Sequence, residues 1–386
     1  MIGRGMKVQE TTVIRLSPFA LSPLNRRRIA NFRANRRALW SLRVFSVLFL
    51  VSLFAELVAN DRPLLVGFRG ETLSPVLARY DETRFGGEGV ASGVDYHDPF
   101  VRCLIVTGGA DACYDDEIAV LERAAEGRFP EGAIPGWILW PPIPFDYATV
   151  DYDVLTAPSP PDAAHLLGVD DQARDVLARV IYGFRLSVLF GFGVTFASAL
   201  IGIAAGAAQG FFGGWIDLFF QRVEEVWGSM NMLYVVIIVS AVLTPSLPVM
   251  FAIFVAFSWT ALTGVVRAEF LRARNFEYVQ AARALGVADR VIMFRHLLPN
   301  AMVATLTLLP FLLTSSIGLL AGLDFLGFGL PSGYPSLGEL ALQGKKYLQD
   351  PHLAVTAFFT FAIMLSLLVF IFEGVRDAFD PRKTFA

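Results

Sequence analysis

Charge is the first thing this sequence has little of. Only 17% of its 386 residues are Asp, Glu, Lys or Arg, while 55% are hydrophobic; soluble domains carry about a quarter charged residues. That excludes an ordinary soluble domain, and apolar runs of bilayer-crossing length point to an integral membrane protein. Histidine is scarce too. His97, His165, His296 and His352 all lie outside the apolar runs, so the parts of a membrane metalloenzyme are missing and no metal site is expected. Ionisable side chains are nearly absent from the runs themselves. Arg43 and Glu56 lie near opposite ends of the first, and Arg185, Arg267 and Asp324 at the ends of others, where long side chains can snorkel. An ion-driven secondary carrier needs polar relays near the midplane, which are not supplied. No glycine-rich loop ending in Lys-Ser/Thr occurs, so the chain is not expected to bind ATP itself.

What charge there is has been sorted. Residues 1–39 carry Arg4, Lys7, Arg15, Arg26, Arg27, Arg28, Arg33, Arg36 and Arg37 against Glu10 alone, while residues 60–178 are rich in Asp and Glu. Basic segments stay in the cytoplasm, which places the N-terminus inside and the acidic stretch outside. The arginines abut a spanning helix, so nucleic acid is not an expected partner. The basic region is too long for a signal peptide, and the first apolar run reads as a retained span. A crossing helix needs roughly 20 apolar residues. Six stretches meet or approach that length: Leu39–Ala59, Leu186–Ala208, Val226–Leu243, Leu247–Val266, Ala301–Leu323 and Leu353–Phe372. The outside segment, with PGWILWPPIPFDYATVDYDVLTAPSPPD, reads as a small irregular domain with some strand, and GGEGVASG as a flexible turn within it. Cys103 and Cys113 both fall there, where a disulfide can persist. A bond between them is expected, with two unpaired buried thiols as the alternative.

Gly202, Gly206 and Gly210 repeat four apart at the end of the second span. That spacing lets another helix approach closely, although spans tolerate glycine in any case. The following GFFGGWIDLFFQRVEEVWGSM is amphipathic and suits the inner membrane surface. Then EYVQAARALGVADRVIMFRHLLPN, Glu277 to Asn300, interrupts two oily runs with a charged segment. Nothing from Glu277 to Leu285 opposes a helix, and Ala281 and Ala282 give it a narrow profile that a groove could grip. Gly286 can take the left-handed conformation that stops a helix. Asp289 reads as the N-cap of a second helix that ends before Pro299. Helix, sharp turn, helix, set between two spans, makes a short rigid lever for contact with another protein.

AARALG followed after a gap by RHLLPN resembles the EAA motif of ABC-importer permeases. Gln280, Ala281 and Ala282 take its triplet, Gly286 its glycine, and Leu298 and Pro299 its closing Leu-Pro. Gln280 replaces the glutamate and His296 the usual isoleucine, a spelling similar to the dipeptide/oligopeptide subfamily. LLGVDDQARDVLARVIYGFRLSVLFG, with Ala173 where a glycine is usual, GFFGGWID and LDFLGFGLPSGYPSLGELALQGKKYL resemble its other signatures. Asn231 stands where a proline is common. SPLNRRRIANFRANRRALWSLRVF, ELVANDRPLLV and EGVRDAFDP narrow the resemblance to E-type permease subunits of peptide and microcin C importers.

The resemblance implies an all-α integral membrane protein. Its parts would be a cytoplasmic basic segment (1–38), a first transmembrane helix (39–59), a periplasmic insertion of mixed, irregular structure (60–165), and a type I ABC importer transmembrane domain (166–386). Six spans are expected in all, with both termini cytoplasmic in a bacterial inner membrane. The loop 270–300 would carry the coupling helix that docks on a cytoplasmic ABC ATPase, with Glu277, Arg283, Arg295 and His296 beside the motif positions. The implied partners are a homologous permease subunit, that ATPase, a periplasmic substrate-binding protein, a peptide substrate and the lipid bilayer. ATP and Mg would bind the ATPase, leaving this chain without a cofactor and without catalysis of its own. An ion-driven carrier is opposed by the charge-poor spans, and a membrane scaffold by the ordered signatures. The substrate-binding residues are not given by the sequence.

Overall fold

In the computed structural model of the chain, residues 23–87 and 93–379 are described. The first basic residues, most of GGEGVASG and the end of EGVRDAFDP lie outside them. Helix α1 (Pro23–Ala34) meets α2 (Arg36–Leu53) at Asn35, whose side chain accepts from the Ala38 N–H and caps α2. Helix α2 breaks at Phe54 and resumes as the single turn α3 (Ala55–Val58). The expected first span is therefore interrupted, and three arginines, Arg36, Arg37 and Arg43, occupy the first half of α2.

An insertion follows. Strand β1 (Leu65–Phe68) pairs antiparallel with β2 (Glu71–Leu73) and β3 (Trp137–Leu139), in the order β2-β1-β3. Helices α4 (Pro99–Thr107) and α5 (Glu117–Ala125) cover it, each started by an aspartate cap, Asp98 and Asp116. Val66, Phe68, Phe85, Tyr96, Leu104 and Ile105 form their shared core. Cys103 and Cys113 are bonded inside it, with Cα atoms 5.8 Å apart and neither residue exposed.

The rest is helical. Helix α6 (Val176–Phe212) starts ten residues before the apolar run because the Asp175 carboxylate accepts from the Ala178 N–H at 2.7 Å. At 37 residues it is about 55 Å long, well beyond a hydrocarbon core of about 30 Å. Gly213 and Gly214, both with positive φ, turn the chain into α7 (Gly214–Ser229) and α8 (Met232–Val242), bent 73° from each other. The expected span Val226–Leu243 is thus split, since Asn231 caps α8 through the Leu233 N–H. Helices α9 (Leu247–Ser258) and α10 (Thr260–Ala273) run on as one 27-residue stretch.

Next come α11 (Glu277–Ala284), α12 (Asp289–Val291) and a π-helical turn (Ile292–Leu297). Helices α13 (Leu298–Phe325), α14 (Leu337–Lys346) and α15 (Pro351–Phe379) complete the chain. Among the described residues, four helical stretches are long and apolar enough to cross a membrane: Val176–Phe212, Leu247–Ala273, Asp289–Phe325 and Pro351–Phe379. The bent α7–α8 pair makes a fifth if it counts as one span.

Helix α10 lies directly on the glycine face of α6. A Cβ at Gly202, Gly206 or Gly210 would meet the carbonyl oxygens of Trp259, Thr263 and Arg267 at 2.5, 2.6 and 2.7 Å. Those are backbone atoms, so only glycine allows this approach.

The disulfide yields a direct expectation. In unreduced, denatured protein, Cys103 and Cys113 should resist alkylation and label only after reduction. Replacing both with alanine should destabilise the insertion by about 2–4 kcal/mol, read as a lower melting temperature. Labelling of both without reduction would contradict the bond.

Candidate functional site

Helix α11 has two faces set by helical spacing. Val279 is fully buried and Ala282, three residues on, is half-buried. They pack on Phe211 of α6, on Val266, Phe270 and Ala273 of α10, and on Ile292 and Leu297 of the π turn. The adjoining, outward face carries Tyr278, Ala281 and Leu285, all exposed, with Leu285 at 84%. A leucine this exposed on a well-supported helix end is a ready contact for another surface.

The helix stops in a Schellman arrangement. The Val287 N–H donates to the Ala282 carbonyl and the Gly286 N–H to the Arg283 carbonyl, each at 3.0 Å. Gly286 has φ +75°, and no atom lies within 4 Å of where a Cβ would stand. The constraint there is conformational and not steric, about 1–2 kcal/mol for a residue with a Cβ.

The structure separates residues that the sequence grouped. Ala281 faces out, while Ala282 faces its own bundle. Glu277 is exposed in the first turn, favourable for the helix dipole. Gln280 is exposed and donates from Nε2 to the Asn275 carbonyl at 3.3 Å. The exposed Arg283 guanidinium sits 5.3 Å from the Phe211 ring centroid. Arg295 and Pro299 are exposed, and His296 and Leu298 half-buried. Tyr278, Leu285, Val291 and the 61%-exposed Phe294 join this surface; nothing in the sequence marked them, because apolar residues read as core.

Two expectations are corrected. Asp289 is the first residue of α12 and makes no capping bond; Ala288 holds the cap position. The second helix does not end before Pro299. It continues through the π turn into α13, where the Leu298 N–H reaches back five residues to the Met293 carbonyl. Pro299 has no N–H to satisfy, and the widened turn accommodates its ring.

At the other end of α6, two of the stretches quoted above, LLGVDDQARDVLARVIYGFRLSVLFG and LDFLGFGLPSGYPSLGELALQGKKYL, meet in an ionic cluster whose pairing the sequence did not give. Arg174 Nε donates to Asp170 Oδ2 at 2.7 Å, and Arg179 Nη2 to Glu339 Oε2 of α14 at 2.6 Å. Arg174 also donates to the Ser332 carbonyl at 2.8 Å. Asp170, Arg174 and Arg179 are buried. Ala173, in the turn between them, sits at φ +57°, a left-handed conformation that suits glycine better. Beside this cluster, buried His165 faces two carboxylates: Nδ1 lies 2.9 Å from Asp175 Oδ2 and Nε2 3.1 Å from Asp151 Oδ2. Its ring packs on Phe145 at 4.5 Å. Burial pushes the imidazole pKa down, but the hydrogen bonds and charges of Asp175 and Asp151 outweigh it and the pKa is raised.

Residues 198–385 match the family model described as binding-protein-dependent transport system inner membrane component. The chain belongs to this family of ABC-transporter permeases. It is 51% identical over 364 residues to the inner membrane ABC transporter permease protein YejE of Escherichia coli K12, covering 94% of this chain and 98% of that one. It is 50% identical over 389 residues to the peptidoglycan transport system permease protein YejE of Agrobacterium fabrum C58, covering 94% of each. More distantly, it is 31% identical to the oligopeptide transport system permease protein OppC of Haemophilus influenzae Rd, over 62% of this chain and 77% of that one.

The His165 arrangement fixes the sign of a pH effect. A raised folded-state pKa gives stability that is complete below the unfolded value of about 6.5 and lost as pH rises through the folded pKa. As pH rises above about 6.5, the melting temperature should therefore fall more in the wild type than in His165→Gln. Equal slopes in the two proteins would remove His165 as the cause.

Proposed function

We propose that this chain is one of two permease subunits of a type I ABC importer that carries peptides into the cell. Its family membership supports the ABC assignment. Relatives named for oligopeptide and peptidoglycan transport share peptide-containing cargo, which supports the substrate class. A peptide conjugate such as microcin C is a narrower expectation within that class. The reading has six spans, with α2–α3 as the first and the α7–α8 pair as the third, both termini cytoplasmic and the insertion periplasmic. A homologous permease completes the translocation path, and a periplasmic binding protein delivers the peptide. A cytoplasmic ATPase binds ATP and Mg and performs the hydrolysis, so the chain itself is not an enzyme.

The observation that carries the mechanism is the exposed ridge Tyr278–Ala281–Leu285, backed by the buried Val279. Closure of the ATPase pushes on that ridge. Val279 and Ala282 press in turn on Val266, Phe270 and Ala273, so α10 and α6 receive the movement. The two access states are then two packings of the spans, and ATP selects between them.

Ala281→Asp and Leu285→Asp change only the exposed face. In the reconstituted importer, each should lower the hydrolysis stimulated by the binding protein, together with transport, by roughly tenfold. That corresponds to about 1.4 kcal/mol of lost docking. Ala282→Asp should instead lower the stability of the subunit, because it buries a charge against its own core. Wild-type transport per ATP and wild-type hydrolysis in both exposed-face variants would refute the coupling role.

The orientation is tested separately. In a variant lacking Cys103 and Cys113, a cysteine at the 91%-exposed Tyr152 should react with an impermeant reagent in intact cells with a permeabilised outer membrane. A cysteine at Ala288 should react only after the inner membrane is opened. The reverse pattern would invert the topology.

A further inference from the structure

The corner between α1 and α2 concentrates cations without partners. Arg26, Arg27, Arg33, Arg36 and Arg37 are all exposed. None of them makes an ion pair among the described residues, whose pairs lie elsewhere. Helix α1 is held against α15: the Arg28 guanidinium lies 4.3 Å from the Phe379 ring centroid. At Asn35 the two helices leave a notch of about 430 Å³, walled by Arg36, Arg37, Phe370 and Glu373. Glu373 is the one carboxylate on the notch, so its two arginines leave it net positive.

Below the notch, the face of α2 changes character in order. Arg36 and Arg37 come first, then Trp40 at 62% exposure with Arg43 5.1 Å from its ring, then the exposed Val44, Val47, Leu48 and Val51. The steps of three and four residues keep them on one helix face. The opposite face, Ala38, Ser41, Phe45 and Ser52, is buried in the bundle. The outward stripe thus runs from cation through interfacial tryptophan to aliphatic surface. That is the profile of a phospholipid with an anionic headgroup, read from phosphate to acyl chain.

We propose that the α1–α2 corner is a binding site for anionic phospholipid, with the phosphate held by Arg36 and Arg37 in the notch and the acyl chains lying along Val44, Val47 and Val51. A soluble polyanion would match the arginines but leave the aliphatic stripe unused. A neutral lipid would match the stripe but not the arginines.

Native mass spectrometry of the full-length chain tests this. Phosphatidylglycerol and phosphatidylcholine with matched acyl chains are offered in equal amounts, with inorganic phosphate as a competitor. The wild type should retain phosphatidylglycerol over phosphatidylcholine by about fivefold or more, since each interfacial arginine contributes roughly that factor. Arg36→Gln with Arg37→Gln should abolish the preference, the paired lysine variant should keep most of it, and Arg290→Gln should leave it unchanged. Rising salt should erode the wild-type preference, a reading that holds even if the glutamine variant fails to fold. An unchanged preference in a folded glutamine variant, a salt-insensitive preference, or full displacement by inorganic phosphate would overturn the proposal.

Discussion

The architecture depends on how closely α6 and α10 approach. Three glycines four residues apart bring the backbone of one helix against the carbonyl oxygens of the other, with no side chain able to yield between them. The separation of the two axes is therefore fixed by the backbone. Everything at the C-terminal end of α10 inherits that geometry. Arg274 reaches back to the Gly210 carbonyl at 3.2 Å, and Arg267 holds Asp217 of α7 through two bonds of 2.6 and 2.8 Å. The seat of Val279 and Ala282 is built from residues of both helices. A displacement of α11 is consequently felt first by the least compliant contact in the bundle, which cannot absorb it by a rotamer change.

The two ends of α6 are fastened by different physics. Its C-terminal half uses close packing, which is insensitive to salt and pH. Its N-terminal end uses buried ion pairs, whose desolvation offsets much of their attraction, so they add little net stability. What such pairs do supply is placement: each buried charge has very few acceptable partners, and an alternative register would leave it unpaired. Asp170, Arg174, Arg179 and Glu339 therefore fix where α14 sits against α6. Asp175 links this end to the insertion as well, capping α6 with one oxygen and facing His165 with the other.

The middles of the long helices were legible in the sequence, because a run of about 20 apolar residues has few other uses. Their ends were not. Helix α6 begins at a capping aspartate outside the apolar run, and the third run breaks at Asn231, where a single polar residue weakens the run's hydropathy without signalling a 73° bend. Gly286 was legible because one glycine between two helix-forming stretches has a conformational reason to be there. The phase of α11 was not: Ala281 and Ala282 are adjacent and identical, and only the burial of Val279 decides which faces outward. The pairing in the ionic cluster was not legible: Arg179 and Glu339 are 160 residues apart, and the two stretches that carry them could be quoted as signatures without showing that they meet.

The π turn before Pro299 follows from two demands on one segment. Ile292 must face the seat of α11, and Leu297 and Ala301 must face the same core from the start of the long helix; all three are buried. Ile292 and Leu297 are five residues apart, which in a regular α-helix would set them about 140° apart on the surface. A π-helical turn closes over five residues and brings both to one side. The extra residue also explains how a proline enters a helix without stranding a bond: the Leu298 N–H has already reached to Met293, and the next residue has no donor. The resulting element runs unbroken from Asp289 through the π turn to Phe325, and Ile292 and Leu297 tie α13 to the core in which Val279 sits, as Val266 and Phe270 tie α10 to it.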